Sequence, residues 1–126
     1  SAVREEVPLV VELVRIQAAS GADAQLALER AIELVERGGR RRTLARELRR
    51  ACWMSASGYS WETALRTAAS RIGHPAAVPM TEVLGRAIRL GGGMDEQLAR
   101  VAEAADRAHV EALKRSLAGR VMGEYA

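Results

Sequence analysis

One spacing recurs three times and limits the fold more than any other feature: a glycine, then a leucine seven residues later. Gly21 precedes Leu28, Gly58 precedes Leu65, and Gly91 precedes Leu98. In the first two copies the agreement extends to Ala27 and Ala31, matched by Ala64 and Ala68; in the third, Val101 keeps the last offset while Gly92 and Gly93 blur the register. Glycine reaches the left-handed backbone that ends helices at little steric cost. A leucine set inside the following helix then packs the new helix onto the old one. Each copy reads as a joint made of a helix, a glycine stop, a short polar turn and a helix folded back. The joints recur at intervals of 37 and 33 residues, close to the tetratricopeptide period. That solenoid also needs an early aromatic, Leu-Gly and a closing proline in each repeat, and the chain lacks them.

Helical periodicity fills the segments between joints, and no alternation lasts long enough to suggest a strand. The spacing predicts six helices. The first spans about Arg4 to Ala19 and is apolar nearly all round, so it is expected to lie centrally or to face a partner. The second follows Asp23 as N-cap and runs to Arg37, stopped by Gly38-Gly39. The third runs from about Arg40 to Ser57, with Leu44, Leu48, Ala51 and Cys52 on one stripe and arginines on the other. The fourth follows Ser60 and closes at Gly73. The fifth starts between Pro75 and Pro79, because proline is tolerated only in the first turn, and ends at Gly91. The sixth, from Asp95 to about Gly119, carries Glu96/Arg100, Glu103/Arg107 and Glu111/Arg115 in the favourable order. With 126 residues, 48% apolar and 3% aromatic without phenylalanine, the core must come from small aliphatic side chains that suit close helix packing. The expectation is one all-α domain over residues 1–126, an antiparallel six-helix bundle built from three helical hairpins.

Composition removes several function classes. A single cysteine, Cys52, and two histidines preclude an intramolecular disulfide and a Cys- or His-rich zinc site. Apolar runs such as Val7 to Val11 are far short of the roughly 20 residues of a membrane span, so the chain reads as soluble. His74 and His109 lack a nucleophile or second carboxylate at a spacing that forces proximity, and read as boundary residues. Cys52 reads as a small core hydrophobe. Gly91-Gly92-Gly93 departs from a Walker loop by continuing Met-Asp-Glu, and reads as a flexible joint. The groups Glu5, Glu6, Glu12 and Glu29, Glu33, Glu36 read as salt-bridged helix surface, with Arg37 one turn beyond Glu33. No cofactor and no metal is expected. Gly85, in mid-helix, points to the close approach of another helix. Of Trp53 and Trp61, which flank the Gly58 joint, one is expected to anchor the hairpin and the other to be an exposed partner contact.

The densest charge feature lies between Arg37 and Arg50, where seven of fourteen residues are arginine and Glu47 alone opposes them. Arg40, Arg41, Arg42, Arg46, Arg49 and Arg50 form a candidate surface for a protein partner or anionic lipid. A merely solvated helix face is the competing reading. Nucleic acid fits less well, because no aromatic stacking platform is interleaved with the arginines.

The order of these features resembles a known family. Val7-Pro8-Leu9 opens a helix ending Ala18-Ala19-Ser20-Gly21; Ser57-Gly58 precedes Ala64-Leu65; Arg71-Ile72-Gly73-His74-Pro75 follows; and Ala87-Ile88-Arg89-Leu90-Gly91 precedes Leu98. Together they resemble the type II secretion system protein F domain, over essentially the whole chain and in the single-copy form of tight-adherence pilus platform proteins. The third joint departs from the family's usual glycine, small residue and proline, and the membrane spans that flank the domain in the family are not among these residues. The resemblance implies a non-enzymatic domain on the cytoplasmic face of a bacterial inner membrane. Its implied partners are a hexameric secretion ATPase, pilin subunits, and a sister platform subunit or a second copy. The reading from another class is a soluble helical adaptor or nucleic-acid-binding module that uses the third helix.

Overall fold

The computed structural model describes residues 2–38 and 43–125, with side chains described from 3 to 123. Six helices account for nearly all of them: α1 (Ala2–Ala19), α2 (Ala24–Arg37), α3 (Thr43–Ala56), α4 (Trp61–Ile72), α5 (Ala77–Leu90) and α6 (Met94–Tyr125). No strand occurs among the described residues.

The first two joints share one hydrogen-bond pattern. At Gly21 (φ 105°) the Gly21 N–H donates to Ala18 O at 3.0 Å and the Ala22 N–H to Gln17 O at 3.2 Å. At Gly58 (φ 108°) the Gly58 N–H donates to Ser55 O at 3.0 Å and the Tyr59 N–H to Met54 O at 3.1 Å. Both are Schellman closures, in which two late carbonyls find donors beyond the helix end. Asp23 then accepts from the Leu26 N–H, and Ser60 from the Thr63 N–H, so each new helix has a side-chain cap. The third joint is different. The Gly91 N–H closes back on Ala87 O, and Gly91, Gly92 and Gly93 all take positive φ, which is why the sequence register blurs there. Leu28, Leu65 and Leu98 are all buried.

Helix α1 occupies the centre and lies against α2, α3, α5 and α6. Val7, Val10, Val11 and Val14 form its buried seam, while Leu9 and Ile16 stay exposed. The helix starts at Ala2, so Pro8 falls in its second turn instead of opening it. Further contacts join α3 to α4 and α4 to α5. Burying a valine or leucine side chain contributes about 1.5–3 kcal/mol, so the α1 seam is a major source of stability.

Glu6 is buried beside this seam, and its Oε1 accepts from the Leu44 N–H at 3.3 Å. Leu44 lies in the first described turn of α3, so a carboxylate from α1 takes a backbone amide of another helix. The described part of α3 begins at Thr43; the proposed start at Arg40 lies outside the described residues. Met94 and Tyr125 bound α6, which is therefore about 48 Å long at 1.5 Å per residue and continues past the Gly119 expected as its end. Of its surface pairs, Glu96 meets Arg100 at 3.6 Å, while Glu111 turns to Lys114 at 3.6 Å instead of to Arg115.

Gly85 is buried, and a Cβ there would lie 3.6 Å from Glu62 Cγ and Leu65 Cδ1. The helix approach anticipated at this position is that of α4, at ordinary van der Waals distance. Gly85→Ala should therefore raise the unfolding free energy by about 0.5–1 kcal/mol through reduced unfolded-state freedom. Glu6→Ala should lower it by about 1–3 kcal/mol, with Glu6→Gln less harmful because its amide oxygen can still accept from Leu44. Urea denaturation of the three variants checks both expectations.

Candidate functional site

The outer face of α3 is the strongest candidate. Residues at i, i+3, i+4 and i+7 share one side of a helix, which groups Arg46, Arg49, Arg50 and Trp53. Arg46 is exposed, and Arg49 and Arg50 are half-buried. Arg40, Arg41 and Arg42, the other members of the expected cluster, lie outside the described residues.

The three described arginines are not simply solvated. Glu47 is buried, and its carboxylate lies 4.0 Å from both Arg46 Nε and Arg50 Nε. Arg49 reaches across to α2, where Nε and Nη2 both donate to Glu36 Oε1. That hydrogen bond, more than any other influence, raises the Arg49 pKa. Arg37 is held by Glu33 one turn earlier on α2, as the spacing implied. Among the described residues, three glutamates thus lie against four guanidinium groups, with Arg49 held most directly, through its hydrogen bonds to Glu36.

The indoles divide in burial, one against the core and one exposed. Trp61 is half-buried against the core, whereas Trp53 is 67% exposed. Tyr59 is also exposed, a residue to which the sequence reading gave no role. It follows the glycine of the second Schellman closure, where a hydrophobic residue often folds back onto its helix. Arginine, tryptophan and tyrosine are the types that dominate protein interface energetics, and here they share α3 and its terminal turn.

Several other candidates have structural partners. His74 is half-buried, and its Nδ1 accepts from the Ala76 N–H at 3.1 Å in the turn that leads into α5. His109 is half-buried, with Nδ1 shielded and without a hydrogen-bond partner among the described residues. A cleft of about 520 Å³ separates the Gly21 turn from the triple-glycine turn and is lined mostly by alanine and glycine. Asp95 at its edge is taken by Arg15 Nε at 2.9 Å, a hydrogen bond that lowers the Asp95 pKa and ties α6 to α1. Asp23 at its other edge is the α2 cap. No group of three metal-ligating side chains occurs among the described residues. Nor is any described helix long and apolar enough to cross a membrane.

No protein-family model, curated protein or solved structure matches the chain.

Cys52 is more than half buried in α3, and burial, followed by the charge of Glu29, pushes its thiol up to about 11. The thiol stays protonated at pH 8, and thiolate is the species that alkylates. Iodoacetamide should label the folded protein at pH 8 far more slowly than the urea-unfolded chain, with the folded rate climbing only as pH approaches 11. Equal rates at pH 8 would contradict this environment.

Proposed function

We propose that the chain is a non-enzymatic platform domain of a pilus or type II-like secretion apparatus, held at the cytoplasmic face of a bacterial inner membrane. In this reading it couples a hexameric secretion ATPase to pilin assembly. Most of the residues that resemble the type II secretion system protein F domain lie at the helix joints, while Val7-Pro8-Leu9 lies inside α1. We further propose that α1–α2, α3–α4 and α5–α6 act as three antiparallel hairpins closed into one block. The shared closures at Gly21 and Gly58, and the contact of α1 with α2 and of α3 with α4, support that arrangement.

The observation that carries the reading is the continuity of α6. Its first turns are fixed to the centre through buried Met94, Leu98, Val101 and Ala105 and through the Arg15–Asp95 bond, and the same helix runs on beyond them without a break. A rigid block with one projecting helix converts displacement at one face into displacement elsewhere once a partner covers that helix. The α3 face supplies the docking chemistry for the ATPase: oriented arginines around an exposed tryptophan.

The test is association of the purified protein with a hexameric secretion ATPase, read by biolayer interferometry. Arg46→Glu with Arg50→Glu should weaken association by roughly tenfold or more, since reversed charges repel where paired ones steer. Trp53→Ala should act in the same direction. Unchanged affinity in both variants would remove the α3 face from the account. The adaptor reading draws on Trp53, which places an aromatic beside the arginines; strongly salt-dependent binding to single-stranded nucleic acid without ATPase association would favour it. Apolar runs of about 20 residues adjoining the domain in its gene are a further requirement of the platform reading.

A further inference from the structure

The second half of α6 carries an apolar seam that its own bundle does not use. Val110, Leu113, Leu117 and Val121 follow one another at spacings of three, four and four residues and are each about half exposed. The seam that faces the core is a different one, made of Met94, Leu98, Val101 and Ala105. At 3.6 residues per turn the two seams are rotated by about 135° around the helix. The distal seam therefore faces away from the direction in which α6 meets α1, and from 113 to 123 every residue is exposed. A helical stretch without tertiary cover is marginal in water, so this one is built to be covered.

Width and flanking charge indicate what covers it. The four residues span roughly 80° of the helix, the width of a coiled-coil seam and narrower than the face a helix lays on a core. A helix lying on lipid needs a broad apolar face opposite a charged one. Here the opposite side carries Gly119, the exposed Met122 and Arg115 as its one charged residue beyond position 112, so the lipid alternative is disfavoured by the narrow seam and not by a lack of opposing charge. The flanks are cationic: Arg107 and Lys114 on one side, the latter shared with Glu111 at 3.6 Å, and Arg120 on the other. Asp106, one turn before Val110, ends the seam. Pairing this seam in full overlap with a second copy, parallel or antiparallel, sets cationic flank against cationic flank.

We propose that the distal half of α6 docks an amphipathic helix of a partner protein, one whose narrow apolar seam is flanked by glutamate or aspartate. The site is distinct from the α3 face, and its existence does not depend on the platform reading.

The test uses the whole chain and two synthetic three-heptad peptides with Val and Leu at the seam, one with Glu and the other with Lys at both flanking positions. Fluorescence anisotropy should show the Glu peptide binding at least about tenfold tighter at low salt, with the difference collapsing in 0.5 M NaCl. Leu113→Gln with Leu117→Gln should abolish that binding while leaving the thermal midpoint of the bundle in place; Arg46→Glu with Arg50→Glu should leave the binding unchanged. Absence of binding, or equal binding of both peptides, overturns the proposal. So does concentration-dependent dimerisation in sedimentation equilibrium, or uptake onto vesicles of phosphatidylcholine with phosphatidylglycerol, if the leucine variant removes it.

Discussion

The fold depends on burial of one face of α1. Val7, Val10, Val11 and Val14 meet side chains from the surrounding helices, so the small aliphatic core has a shared axis rather than separate pairwise contacts. Glu6 lies beside that seam and gives its carboxylate to the first described turn of α3. A buried carboxylate is costly unless it is met, and the Leu44 N–H donates to it. One helix thus sets the positions of two others: α3 through Glu6 and α6 through Arg15. The candidate docking face and the projecting rod both descend from α1.

Much of this architecture is legible in the residues because its signals are local. A glycine stop, a capping Asp or Ser and a leucine seven residues past the glycine depend on neighbours within two turns, which is why the Gly21 and Gly58 joints close as their spacing implies. Gly73 ends α4 at φ 68° for the same reason. The third joint shows the limit of such signals. Three successive glycines permit several geometries, and the selected one, with a single closure to Ala87, is set by where α6 must go to meet α1. Pro8 makes the same point, because a residue that usually marks a helix start sits inside α1, where the surrounding contacts outweigh its lost N–H.

The candidate surfaces are only half legible. Helical spacing alone places Trp53 with Arg46, Arg49 and Arg50, but not the partners that orient them. Glu36 is thirteen residues from Arg49 and lies on another helix, and the burial of Glu47 depends on neighbours that periodicity does not reveal. The overhang of α6 was hidden for a related reason. Glutamate–arginine pairs mark a solvated helix face, yet they do not say where the covering helices stop. Only the change from the Met94–Ala105 seam to the Val110–Val121 seam records that boundary.

Helix α6 is one continuous rod, rooted in the core through its first turns and uncovered beyond them. Native-state hydrogen exchange resolved by residue tests it most directly. In the isolated protein, amides from about Leu98 to Ala105 should exchange only with global unfolding, whereas those from Leu113 to Met122 should exchange orders of magnitude faster, through local fraying. Equal, slow exchange along the whole of α6 would mean that the distal seam is already covered, and would contradict the account.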